Sequence, residues 1–346
     1  MSDRFDDLPD VVYVHRIAAI KWPLLWQCFG GRALRPLPAS GALPRDACVV
    51  TWGATPLPEG VEPAIVLRLE DGFLRSVGLG VDLVRPVSWV VDRSGLHFDP
   101  SRPSDLEMLL AGRSFSAADL VRAARIRQRV VDAGLTKYNI AGQRWTRPAH
   151  ARRVLLVAGQ VPTDAALHCA GSGLTNVDLL RRARAYAPDA YLVYKVHPDL
   201  LAGMRTDAQA HVDLSTLCDE VVGSVDLHDL LTQVDEVHVV SSLTGFEALL
   251  RGCTVVCHGR PFYSGWGLTV DLSPASARRG VALTLDALVA GALIHYPVYL
   301  SRQFRGRIEA EEAIDALVRW REAGGGRPVW WRPVYRRALR RIVGVR

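Results

Sequence analysis

The sequence has no apolar run approaching the roughly 18–20 residues of a membrane-spanning helix. Its longest apolar stretches, 17–29 and 281–294, are each broken by a charge, Lys21 and Asp286. The N-terminal MSDRFDDLPD is acidic and shows no basic-then-apolar leader, so a cytoplasmic setting is expected. None of the six cysteines (28, 48, 169, 218, 253 and 257) forms a C-x-x-C pair. Several lie in or beside apolar strand-like runs, which reads as buried, reduced thiols. Cys253, Cys257 and His258 span a β-rich stretch rather than a zinc-knuckle turn. No D-x-D cluster stands at a strand end, so no metal and no cofactor are expected. Internal repeats and low-complexity tracts are absent. Positive charge is also scarce outside one place: of a net +6, residues 327–346 hold seven arginines and no acid, leaving the rest one charge below neutral. That excludes a general nucleic-acid binder and points to one localised anionic partner.

What is present is an α/β chain of 346 residues, too long for one ordinary core and suited to two lobes. Candidate strands fall at 11–14, 48–52, 64–69, 87–91, 153–157, 191–195, 236–240 and 253–257. Several are β-branched runs without alternation, as in strands covered on both faces. Helical patterns lie between them at 104–110, 117–133 and 176–187. The last is introduced by Thr175 with Asp178 three residues on, and stopped by Pro188. This alternation predicts parallel sheets. The polar, aperiodic stretch 137–149 marks a boundary, giving a Rossmann-like lobe at 1–147, a second at 148–302 and C-terminal helices at 303–346.

Ligands of such sheets bind outside the carboxyl ends of the strands, and there the second lobe repeats one arrangement. One strand runs into Gln160 and Asp164, the next into Lys195, His197 and Pro198, the third into Ser241, Ser242, Thr244 and Glu247. Two hydroxyls before a helix make an anion cradle fit for a nucleotide phosphate. Lys195 and His197 could reach the same phosphate. Thr244-x-x-Glu247 reads as a capping box, though Glu247 could instead accept hydrogen bonds from a ribose. Asp164 reads either as a helix cap or as a nucleophile or base. In the first lobe Glu70 and Asp71, flanked by Arg68 and Arg75 and followed by Gly72, read as a turn or as a tuned acid/base pair facing an acceptor. Tyr263 and Trp266, in the Gly-rich loop 259–267, either cover a sugar or base or pack within their own loop.

RLEDGFLRSVGLG (68–80), PVSWVVDRSGLHFD (86–99), AGLTKYN (133–139), GQVPTDA (159–165), the long stretch 175–205 and VHVVSSLTGFEALLRGCTVVCHGRPFYSGWGLT (237–269) together resemble the capsule polysaccharide biosynthesis KpsC/LipB family. The resemblance implies the GT-B architecture, with a cleft between two Rossmann-like lobes. It implies a retaining transferase of β-Kdo (3-deoxy-manno-octulosonic acid) from CMP-β-Kdo to a glycan or lipid-linked acceptor. By the same resemblance Asp164 is the nucleophile and forms a covalent adduct. Gln160, Lys195, His197, Pro198, Ser241, Ser242, Thr244 and Glu247 hold the donor. Glu70 or Asp71 is the base, with Gly72, Arg75, Tyr263 and Trp266 near sugar or acceptor. The sequence departs from the family pattern in Lys195-Val196-His197-Pro198, where Lys-Pro-His-Pro is common, and in the single acid of the Asp164 loop. It carries one module where linker enzymes carry two. Two other readings remain: an inverting CMP-sialic acid transferase with Glu70 or Asp71 as base, and a non-catalytic scaffold working with other capsule-assembly proteins.

The tail WWRPVYRRALRRIVGVR (330–346) reads as a helix starting near Pro333. Trp331, Tyr335, Leu339 and Ile342 recur at helical spacing, and Arg336, Arg337, Arg340 and Arg341 fall mostly elsewhere around it. It suits the anionic inner-membrane surface, which makes peripheral association the expectation.

Overall fold

The computed structural model describes residues 5–39, 43–79, 84–112, 114–201, 213–274, 276–303 and 306–325. The tail helix expected near Pro333 lies outside the described residues. The first part of the chain gives β1 (Val11–His15), α1 (Trp22–Cys28), β2 (Ala33–Pro36), β3 (Cys48–Trp52), β4 (Ile65–Asp71), β5 (Ser88–Asp92), α2 (Asp105–Gly112) and α3 (Ala117–Asp132). There follow β6 (Val154–Ala158), α4 (Ala165–Ala170), α5 (Asn176–Tyr186), β7 (Tyr191–Lys195), α6 (Pro198–Leu201), β8 (Glu220–Val222), α7 (Leu227–Leu231), β9 (Glu236–Val239), α8 (Leu243–Leu250), β10 (Thr254–Cys257) and β11 (Val270–Asp271). After α9 (Leu285–Val289) and a π-helical turn (Ala290–His295) come β12 (Pro297–Leu300), β13 (Arg307–Ile308) and α10 (Ala310–Glu322).

Local chemistry accounts for these elements. Every residue of β6 (VLLVA) is buried, so the strand is continuously apolar rather than alternating. Thr175 and Asp178 form the reciprocal capping box that starts α5, and Ser116 with Asp119 does the same for α3.

The second sheet is wholly parallel, in the order β11-β10-β9-β6-β7-β8. Numbered from its own first strand, this is 6-5-4-1-2-3, the doubly wound order, and its direction of winding reverses between β6 and β9. The first sheet runs β13-β12-β5-β4-β3-β1-β2 and is mixed, which corrects the expectation of parallel sheets throughout. β1 to β4 are parallel, but β5 pairs antiparallel with β4, β12 with β5, and β13 with β12. Among the described residues between β4 and β5 no helix crosses over, and β5 runs beside β4 in the opposite direction. β12, which the sequence reading places at the end of the second lobe, is hydrogen-bonded within the first sheet.

One apolar core joins the sheets. Phe73, Val90 and Leu106 from the first half share a cluster with Val154, Val237, Phe246 and Phe262 from the second. Phe73 stacks on Phe262 with ring centroids 4.6 Å apart. Buried Glu107 on α2 binds Arg278 and, at 2.9 Å, Arg279, whose guanidinium also reaches the Ser264 carbonyl at 3.0 Å. The polar stretch at 137–149 is docked rather than loose: Gln143 N–H donates to the Ser224 carbonyl at 2.8 Å and Trp145 N–H to Asp229 at 2.8 Å.

Candidate functional site

In sheets of this order ligands bind at the carboxyl ends of the strands where the winding reverses, here β6 and β9. Gln160 follows β6 and Ser241 follows β9, and they bridge the two strand ends. Gln160 Nε2 donates to Ser241 Oγ at 3.0 Å, and Ser241 N–H donates to Gln160 Oε1 at 2.9 Å. Asn176 pins the Gln160 backbone from both sides, accepting from its N–H at 2.9 Å and donating to its carbonyl at 2.8 Å. Gln160 is thus a buried brace that sets Ser241. Ser242 caps α8, accepting from Thr244 N–H at 3.3 Å.

Asp164 caps α4, its Oδ1 accepting from Ala166 N–H at 2.9 Å. That bond uses one carboxylate oxygen. His197, after β7, has its Nδ1 engaged by Asp199 N–H at 3.1 Å. In the neutral ring this bond leaves the proton on Nε2. Burial pushes the imidazole pKa down, against the opposing charges of Asp199 and Asp164. Lys195, also buried, donates to the Gly223 carbonyl at 3.2 Å. Burial lowers its pKa while the negative charges of Glu247 and Asp226 oppose the shift.

Glu247 does not form the expected capping box with Thr244. Its Oε1 instead accepts the backbone N–H of Lys137, 110 residues earlier, at 2.7 Å. Burial raises its pKa, and Lys137, Arg251 and Lys195 partly offset that. The Lys137 carbonyl in turn accepts from the N–H groups of Arg75 and Ser76, both at 3.1 Å. Residue 137 therefore ties the second sheet's carboxylate to the loop that follows β4.

On the first-sheet side, Glu70 and Asp71 end β4. Burial, and then the charge of Asp71, raise the Glu70 pKa to about 7. Asp71 pairs with Arg75 at 2.6 Å, and Arg75 also donates to Ser76 at 2.8 Å. The Lys137 ammonium stands 5.3 Å from the Tyr138 ring. Burial opposes its charge, but Tyr138, Asp71 and Glu70 outweigh that and hold its pKa above the ordinary lysine value. Its field also reaches His97, whose pKa burial has already lowered to about 3, and His197. Acids of the first sheet and the His197–Asp164 side of the second thus lie within electrostatic reach of one lysine.

Through the charges of Lys137 and Lys195 the structure links Glu70, Asp71, His197 and Glu247, while Ser241, Ser242, Asp164 and Pro198 stand at the carboxyl ends of β9, β6 and β7. Four expected contacts are corrected. Tyr263 and Trp266 are fully buried: the Tyr263 hydroxyl donates to the Ser242 carbonyl, and Trp266 Nε1 donates to the Phe262 carbonyl at 2.8 Å. Tyr263 thereby holds the Ser242 backbone, and Trp266 packs within its own loop. Gly72 is buried where a Cβ would run into the Ser88 side chain, so it serves close packing of β4 on β5. Arg75 is engaged by Asp71 and Ser76 and is only 6% exposed.

Sequence reasoning passed over Lys137 and Lys21. Lys21 precedes α1, and its ammonium lies 3.0 Å over the Trp52 ring. A signal was available. The chain has thirty-nine arginines and only three lysines, Lys21, Lys137 and Lys195, and all three converge here.

Comparison with known proteins follows the same lines. The profile of a family described as "Capsule polysaccharide biosynthesis protein" matches residues 48–139 and 126–301. The capsule polysaccharide modification protein LipA of Neisseria meningitidis serogroup B is 40% identical over 284 residues, 79% of this chain and 40% of LipA. The lipopolysaccharide-processing protein LpsZ of Rhizobium meliloti is 42% identical over 279 residues, 78% of this chain and 63% of LpsZ. The chain therefore spans less than two thirds of these relatives. Among solved structures, the β-Kdo 2,7 transferase of Thermosulfurimonas dismutans KpsC superposes with a TM-score of 0.73 at 33% identity, over 90% of this chain and 99% of that one. The β-Kdo 2,4 transferase of the same KpsC gives 0.76 at 30% identity, over 88% and 97%.

Proposed function

The chain belongs to the capsule polysaccharide biosynthesis protein family, and from that premise we propose that it is a glycosyltransferase moving β-Kdo from CMP-β-Kdo to a glycan or glycolipid acceptor with retention. The observation that carries this reading is the likeness to the two KpsC β-Kdo transferases across nearly the whole of each. The two sheets facing the Lys137 neighbourhood support the GT-B reading.

Chemistry proceeds in two displacements. The free Asp164 oxygen attacks the anomeric carbon. The bond to the phosphate oxygen breaks, and CMP leaves with the electron pair. Because the leaving phosphate stays ionised near neutrality, it needs hydrogen bonds and charge rather than a strong acid. The Nε2–H of His197, the ammonium of Lys195 and the start of α8 at Ser242 supply these. An acceptor hydroxyl then attacks the same carbon, Glu70 takes its proton, and the Asp164 carboxylate is released. A pKa of about 7 suits Glu70 to that role. In this reading no step uses a metal. The protein works in the cytoplasm, with the arginine-rich tail 327–346 on the anionic inner membrane.

The capping bond from Ala166 to Asp164 favours one competing reading, an inverting transfer in which Asp164 is structural and Glu70 is the sole base. Intact-protein mass spectrometry after adding CMP-Kdo separates the two. A Kdo-sized mass increase on the native chain, absent from Asp164→Asn, supports double displacement. Undiminished CMP release and acceptor modification by Asp164→Asn supports inversion. No CMP release from the native chain with any acceptor overturns both.

A further inference from the structure

The first sheet has its own reversal. Its strands run β2-β1-β3-β4, so the direction of winding changes between β1 and β3, and a second crevice is expected at their carboxyl ends. The residues there form a compact group. His15 ends β1 with Nε2 3.1 Å from the Pro56 carbonyl, and Arg16 after it adopts φ +50. Trp52 ends β3 and is half-buried. Gly53 has φ +53, and a Cβ there would stand 2.6 Å from Glu70 Oε1. Only glycine lets the β3 turn approach the Glu70 carboxyl so closely.

Lys21 projects into this group from the turn before α1. Its ammonium lies over the Trp52 ring, within the field of Glu70 and Asp71. It forms no ion pair among the described residues. Asp71 is already matched by Arg75, and Glu70 titrates near neutrality, so neither balances Lys21 fully. The Trp52 face holds the ammonium by cation–π attraction, apart from the Glu70 carboxyl. A partly desolvated ammonium without a full counter-charge, beside a half-buried tryptophan and a base, is suited to an anionic sugar. In a chain with thirty-nine arginines and three lysines, this spot carries a compact point charge rather than a guanidinium fork.

We propose that the β1/β3 crevice is an acceptor subsite, in which Lys21 binds a carboxylate or phosphate of the incoming glycan and Trp52 holds Lys21 in place, so that the attacking hydroxyl reaches Glu70. This rests on the transferase reading for its chemistry, while the binding itself can be measured alone. The probes are an octyl Kdo glycoside, its methyl ester, N-acetylglucosamine 1-phosphate and CMP, titrated calorimetrically into the native chain, Lys21→Met and Lys21→Arg. The glycoside should bind the native chain at least tenfold more tightly than its ester does. Lys21→Met should lose the same factor, and Lys21→Arg should fall between. CMP affinity should stay within twofold in all three, which certifies the fold of each variant. If the sugar phosphate alone binds in this Lys21-dependent way, the anion is a phosphate and the subsite stands. If Lys21→Met binds the probes as tightly as the native chain, or the native chain binds none of them, the subsite is overturned. Lys21-dependent glycoside binding without any CMP binding leaves the subsite standing and removes the CMP-donor reading instead.

Discussion

The carboxylate of Glu247 accepts the backbone N–H of Lys137 at 2.7 Å across 110 residues of sequence. Helix α8 is thereby fixed to the segment that carries Lys137, whose carbonyl in turn holds the loop after β4.

Asp164 caps α4 and is also the proposed nucleophile, and these roles come apart on substitution. Asparagine caps a helix about as well as aspartate, whereas alanine costs about 1 kcal/mol. Asp164→Asn should match the native chain in urea denaturation and lose the sugar adduct. Asp164→Ala should lose both adduct and stability. An active Asp164→Asn variant would contradict the nucleophile assignment.

With a folded pKa of about 7, Glu70 should impose an ascending limb on kcat/KM, with activity falling as pH drops below about 7. The sign for stability is the reverse. Its folded pKa lies above the unfolded 4.5, so its contribution is full below 4.5 and is lost as pH rises through about 7. The loss is roughly 3 kcal/mol at most. Glu70→Gln should therefore be inactive yet more resistant to urea than the native chain at pH 8, with the difference shrinking at pH 5.5. Equal midpoints at both pH values would refute the perturbed carboxyl.

Trp266 is fully buried with its indole N–H bonded, so Trp266→Ala should cost about 3–5 kcal/mol in urea denaturation. A variant with native stability and raised KM would instead make Trp266 a substrate contact.

His238 and His258 are buried, with a nitrogen of each 3.0 Å apart. Burial lowers their pKa values to about 3 and about 4. Folded values below the unfolded 6.5 mean that their contribution is present above pH 6.5 and is lost as pH falls toward 4. The urea midpoint should drop across that window, by about 1.4 kcal/mol per pH unit for each proton taken up. The double variant His238→Gln, His258→Gln should show a shallower drop, and an unchanged slope would place the acid sensitivity elsewhere.

Much of the fold is legible in the sequence alone. Strands 48–52 and 191–195 end where the apolar runs end, because burial on both faces leaves no alternation to blur their edges. The polar groups after β6, β7 and β9 were legible for the same reason. β12 was not, since a four-residue strand gives no sign of which sheet will take it, and it pairs with a partner over 200 residues earlier. Tyr263 and Trp266 illustrate a different limit: an aromatic, glycine-rich loop reads alike whether its rings face a ligand or a core. Lys137 was missed because its role rests on backbone bonds to Arg75, Ser76 and Glu247, which no local pattern encodes.

The return of β12 to the first sheet means that this sheet does not correspond to an uninterrupted stretch of chain, since all of β6–β11 lies between β5 and β12. No single cut releases a self-sufficient half: a fragment ending before residue 297 leaves β5 with an open edge, and one starting at 148 carries a strand without its partner. Any duplication, transplant or fusion that keeps this unit working has to carry it whole, from β1 to at least β13.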